Sequence, residues 1–254
     1  MITPSQAAVR EHGGMTSDLT STGAEQDAPS RLAFVARRGL LRCAVPLAQG
    51  GDGAPVDELV SRIRELAGQD MASARIAWAQ RLAIEALVHS PNIALREHLL
   101  PDLLTGALAG TLSWRQDLTL ASARSLVQAQ PLERGWHLKG LLDDVPNLQW
   151  EGYVVVCPVR FDAQVGQPQR WAWVVLRSEE DGLRHVIDVT RPQDVATASG
   201  TVRLNNVYFR EDELLADDPH RLALHLQLLD QALRPAMLAA ALSRPAPVHK
   251  KYEV

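Results

Sequence analysis

Residues 134–156, RGWHLKGLLDDVPNLQWEGYVVV, change character twice within one line. An amphiphilic opening around Trp136 gives way to the acidic pair Asp143 and Asp144, then to Val145-Pro146, then to an apolar run from Tyr153 to Val156. The stretch reads either as two strands joined by a turn or as a binding site. Its surroundings favour strands: GYVVVCPVRF (152–161), RWAWVVLRS (170–178), LRHVIDVT (183–190) and TVRLNNVYF (201–209) are short Val-, Trp-, Ile- and Tyr-rich runs bounded by Gly, Pro, Asp and Ser. That is the pattern of antiparallel strands.

The chain before this region is helical. Val56, Leu59, Val60, Ile63, Leu66 and Ala67 recur at helical spacing, with Gly68 placed as a stop. Residues 71–90 predict a helix buried on most sides and interrupted by Pro91, followed by a short helix near 93–100 and a further turn over 102–108. A helix ending near Gly39 precedes them. Residues 222–242 return to helical composition, with Pro235 marking a kink or a helix start. The polar stretch 1–29 predicts a disordered tail. The expected organisation is a tail (1–29), a helical domain (30–111), a β domain (112–216), one helical segment (217–243) and a second tail (244–254).

Composition excludes several functions. With 254 residues and 46% hydrophobic content the chain can bury a sizeable core. A net charge of −4 and the absence of a basic run argue against nucleic acid as a partner. Only Lys139, Lys250 and Lys251 are lysines, so arginine carries nearly all the positive charge. Cys43 and Cys157 have no CxxC spacing and follow no signal-peptide pattern, which predicts a reducing cytoplasm. The eight histidines show no HExxH or paired i, i+4 arrangement, so no metal site is expected. No apolar run reaches the roughly 18 residues of a membrane helix, and the protein is expected to be soluble.

Each chemical candidate has a plainer reading beside it. AQGGDGAP (48–55) lacks both GxxxxGK[ST] and GxGxxG, so a helix-starting turn is preferred over a phosphate cradle. Asp143 with Asp144, and Asp217 with Asp218, could be acid–base pairs, although neighbouring side chains on a strand face opposite ways. His185, His220 and His225 could each act as a base, yet no serine or cysteine stands in a nucleophile elbow to use one. Trp136, Trp150, Trp171 and Trp173 could stack a planar ligand or simply pack the sheet.

Taken in order, several weak motifs resemble one family. RRGLLRCAVPLAQGGDGAPVDELVSRIRELAGQDMASA (37–74) is similar to the N-terminal helical domain of acyl-CoA dehydrogenases, through Gly39-Leu40, Val45-Pro46, Gly50-Gly51-x-Gly53 and Glu65-Leu66-Ala67-x-x-Asp70. REHLLPDLLTGALAG (96–110) resembles the approach to that family's β domain, and GWHLKG (135–140) its Gly-x-x-Leu-x-Gly hairpin. ATASGTVRLNNVYFREDELLADD (196–218) resembles the closing strand and arm, and LLDQALRPAMLAAAL (228–242) the first helix of the C-terminal bundle. The resemblance covers residues 31–242.

It implies an α+β fold: an N-terminal helical domain, an antiparallel β-barrel-like middle domain and a truncated C-terminal helical segment. It also implies FAD-dependent α,β-oxidation of an acyl thioester, in which a Glu takes the α-proton as hydride leaves the β-carbon. Departures alter that expectation. The family's flavin-contacting Thr-Glu-Pro and Gly-Ser-Asp fall on RQDLTLAS (115–122), where none of the six residues is kept. Its Trp-x-Thr falls on Asp144, Val145 and Pro146, so Val145 and Pro146 are the cofactor-binding candidates, on the flavin-facing strand. Near the matched base position the first bundle helix offers Asp230, with Ala232 and Leu233 beside it, and no catalytic residue is assigned. The resemblance implies an acyl-CoA dehydrogenase-like oxidoreductase subunit, inactive as an isolated chain. FAD would be shared with a partner or absent, and a homo- or hetero-oligomer would form through the Leu222 to Leu242 helix. The alternative is a non-catalytic acyl-thioester-binding or scaffold protein, a pseudoenzyme.

Overall fold

The computed structural model describes residues 27–113, 127–164, 166 and 168–242. The first helix, α1 (Ala28–Arg37), begins earlier than its apolar pattern suggests. Asp27 caps it, accepting the Ser30 N–H at 2.9 Å, and Pro29 suits the first turn. Ala28 and Pro29 are therefore helical, although the composition assigns them to the tail.

Helix α2 (Val56–Gln69) runs through Gly68, the expected stop. The break comes at Asp70, whose extended backbone ends α2 while its carboxylate accepts from Ala72 N–H and Ser73 Oγ–H to start α3 (Met71–Val88). A good N-cap has outweighed a glycine. Helix α4 (Ile93–Thr105) likewise fuses the two pieces expected around Pro101. Pro101 and Glu97, whose carbonyl loses its intrahelical donor, are both exposed, which leaves the gap open to water. The final helix, α6 (Pro219–Leu242), also continues through an exposed proline, Pro235. A short helix, α5 (Pro192–Ala196), lies between strands.

The strands are β1 (Ala109–Leu112), β2 (Val127–Pro131), β3 (Trp136–Val145), β4 (Tyr153–Phe161), β5 (Arg170–Arg177), β6 (Leu183–Ile187), β7 (Gly200–Phe209) and β8 (Leu214–Ala216). They form one sheet in the order β6-β7-β3-β2-β4-β5-β8, with β1 beside β4. Most pairings are antiparallel as expected, but β4 runs parallel to both β1 and β2, so the sheet is mixed. Nearly every β4 residue is buried, which suits a strand covered on both faces. In the β2–β3 hairpin Gly135 has φ +82°, and a Cβ there would lie 2.6 Å from the Phe209 carbonyl oxygen. Gly140 is no turn residue; it pairs with Val127 and Leu204 inside β3.

Helices and sheet share one continuous core. Helix α6 lies on α2 and α3, burying Leu222, Leu226, Leu229, Leu233 and Met237. Each such leucine contributes about 1.5–3 kcal/mol. A buried amide network then joins the helices to the sheet. Gln80 of α3 donates to the Leu103 and Leu108 carbonyls and accepts from Gly110 N–H and Asn147 Nδ2–H, at 2.6–3.0 Å. Asn147 also donates to the Gly110 carbonyl and accepts from Gln149.

Candidate functional site

The position that the resemblance assigns to a flavin wall lies at the end of β3. Val145 pairs with Gly200 and is fully buried, and Pro146 is buried too. The exposed side chains at this point are Asp143 and Asp144. Asp144 has φ +54°, a conformation that a short polar side chain tolerates. Its carboxylate accepts from Arg75 Nη2 at 3.0 Å.

Arg75, on the first turns of α3, also approaches Asp194 of α5 at 3.6 Å. Asp194 is 1% exposed and faces Arg191 Nε at 2.6 Å, a close ion pair whose angle does not make a hydrogen bond. An alternating chain Asp144–Arg75–Asp194–Arg191 therefore edges the end of β3. RQDLTLAS, the other flavin-contacting stretch of the resemblance, lies outside the described residues.

One turn further along α3, Trp78 donates its indole N–H to Asp230 Oδ1 at 2.7 Å. Arg234 Nε lies 3.2 Å from both Asp230 oxygens, and its guanidinium sits over the Trp78 ring at 4.7 Å. Asp230, the carboxylate nearest the matched base position, is thus tied to α3 and to its own helix. Ala232 is half-buried and Leu233 faces the core.

The remaining candidates separate. Asp218 caps α6, accepting from the His220 and Arg221 N–H groups, and Asp217 is exposed. Trp136 and Trp173 are buried in the sheet, and Trp171 is half-buried. Trp150 is 82% exposed, its ring 4.9 Å from that of His185. Burial lowers the His185 pKa; among the described residues its Nε2 has no partner, and neither has the buried Tyr153 hydroxyl beside it. Burial first, then His89, also holds His225 below the usual imidazole value.

The glycine-rich loop spends its donors internally. The N–H groups of Gly50, Gly51, Asp52 and Gly53 bond the carbonyls of Leu47, Pro46, Arg42 and Val45, and that of Ala54 bonds the Asp52 side chain. No row of free N–H groups faces outward as a phosphate cradle needs. Beside this loop and α4 lies a cleft of about 420 Å³, lined by Arg42, Gln49, Arg96, Leu100 and Leu104. Burial raises the pKa of both buried cysteines, which disfavours thiolate chemistry. No helix among the described residues is long and apolar enough to cross a membrane.

Sequence reasoning paired none of Arg75, Asp194, Trp78 or Arg234 with these sites. Their partners lie between 3 and 152 positions away, and apart from the single-turn Arg191–Asp194 and Asp230–Arg234 spacings no local pattern announces them.

No family model and no curated protein matches the chain. Solved structures do. The chain aligns with the FAD complex of PigA at TM-score 0.70 and 15% identity, over 84% of this chain and 57% of that one. An acyl-CoA dehydrogenase complexed with FAD from Bacillus anthracis aligns at TM-score 0.68 and 15% identity, over 83% and 36%. The ChsE4-ChsE5 complex from Mycobacterium tuberculosis aligns at 0.66 and 20% identity, over 83% and 53%. The chain has the acyl-CoA dehydrogenase fold over these regions and spans a little over half the length of PigA.

Proposed function

We propose that this chain is a partner-dependent, acyl-CoA dehydrogenase-like subunit of an assembly that oxidises an acyl thioester, with the catalytic carboxylate supplied by another part of the assembly. The observation that carries the reading is Asp230. It is the one acidic residue on α6, and Trp78 and Arg234 hold both of its oxygens. A base must be free to approach the α-carbon proton, and this carboxylate is occupied.

The residues at the end of β3 do not fit a flavin wall of their own. Val145 and Pro146 turn into the core, and the groups facing out are the acceptor-only carboxylates of Asp143 and Asp144. They offer no donor to the polar edge of an isoalloxazine and would repel a pyrophosphate. FAD is accordingly assigned to the assembly and not to this face of the chain. The outer face of α6 supports a partner: Leu224, Leu228 and Leu238 are 56%, 58% and 53% exposed in one row. The same carboxylate-edged wall favours a second reading, an acyl-thioester-binding or scaffold protein without flavin chemistry.

Gel filtration with light scattering, and a visible spectrum after incubation with FAD, test these readings. The full chain is expected to associate without holding flavin, and a Leu228→Glu, Leu238→Glu double variant to lower its mass. A yellow monomer bleached by acyl-CoA would overturn both readings. A colourless monomer that binds acyl-CoA would overturn the first and leave the second.

A further inference from the structure

Glu85 and His89 stand one helical turn apart at the C-terminal end of α3, and so share a face. His225, on the second turn of α6, reaches the same place from the opposite helix. The rings of His89 and His225 stack with centroids 3.7 Å apart and planes 11° from parallel. Glu85 Oε1 lies 3.0 Å from His89 Nε2, and one ligand atom from each of the three residues falls within 4.8 Å of the others. Nothing in the fold or the proposed function uses this trio.

The surroundings suit a built site. The Glu85 side chain is 17% exposed and that of His89 32%, so the pair sits at the edge of the α3–α6 packing with one side open to water. The second Glu85 oxygen faces Arg81 at 3.8 Å, a fully buried guanidinium that also donates to the Leu41 carbonyl. Arg81 therefore orients the carboxylate and leaves Oε1 turned toward the histidines, as outer-shell groups do around metal ligands. Arg221 is a positive charge near His225.

We infer that Glu85, His89 and His225 form a divalent-cation site of the zinc class that fastens α6 to the end of α3. Two imidazole nitrogens and one carboxylate oxygen are a zinc donor set. Ligands about 2.0–2.2 Å from a tetrahedral ion lie roughly 3.3 Å from one another, so binding requires the stacked rings to turn their in-plane nitrogen lone pairs onto the ion. Water completes the coordination on the open side.

The test titrates zinc alone into the chelator-stripped, tag-free full chain, in competition with a chromophoric chelator. One ion per chain should bind, and Tm should rise by several degrees because the ion favours the folded state. Glu85→Gln keeps a hydrogen-bonding side chain of the same shape, and it and His225→Asn should each weaken binding by at least about tenfold. His98→Asn, an exposed histidine on α4, should change nothing. Absence of zinc binding at micromolar concentrations would overturn the inference, as would unchanged affinity in Glu85→Gln.

Discussion

Two polar junctions join the helices to the sheet, and they are built on opposite principles. The Gln80–Asn147–Gln149 junction is neutral and buried, and its amides bond to one another and to backbone groups of the α4–β1 turn. The Asp144–Arg75–Asp194–Arg191 junction is charged and is buried only at Asp194; the Asp144 side chain is 70% exposed. The neutral junction fixes geometry, because each amide there would be costly to leave unpaired. The charged junction spends little energy in water and can exchange its partners. A site that must admit a ligand or a partner belongs beside the second kind.

The sharpest way to break this contrast is Gln80→Leu. It strands the Gly110 N–H, the Leu108 carbonyl and one N–H of the Asn147 amide together, and should lower unfolding free energy by about 3–4 kcal/mol in urea titrations. A loss near that of a surface mutation would mean the amides are not a lock. Asp194→Asn comes next, at about 2 kcal/mol, since it removes the buried charge that both arginines face.

A third variant compares the buried carboxylate of Asp194 with the half-buried one of Glu180. Asp194 has two guanidiniums; Glu180, in the β5–β6 turn, has no ion pair among the described residues. Burial pushes the Glu180 pKa up to about 7 from an ordinary 4.5. The protonated form is favoured in the folded state, so its contribution is full below pH 4.5 and is lost as pH rises through about 7. Glu180→Gln should therefore flatten the fall in stability over that window and add on the order of 1 kcal/mol at pH 8, after discounting for solvent screening. Melting curves from pH 4 to 8 would show it, and an unchanged slope would refute it. Smallest of all, Arg75→Ala should cost about 0.5 kcal/mol at low ionic strength and nothing measurable in molar salt.

Much of the fold was legible because its signals are local. The apolar stripe of α2 and the Val-rich run of β4 both appear in the structure as elements. Periodicity does not carry strand direction, which is why the parallel neighbours of β4 were unforeseen. Prolines misled for a related reason. Pro101 and Pro235 break a helix only where the freed carbonyl is buried, and burial is a tertiary property. The sites were less legible still. Arg75 meets Asp144 across 69 positions, and His225 meets Glu85 and His89 only because α6 lies on α3.

Gln80 also bears on the order of assembly. It leaves the ribosome early, yet its last acceptor contact waits for Asn147, 67 residues later. Until then the amide in the middle of this buried helix relies on Leu103, Leu108 and Gly110 and lacks its Asn147 donor, which disfavours an independently finished helical half. Helices and sheet should accordingly melt as a single cooperative unit, so that loosening one strand of the sheet is felt at the far end of α3.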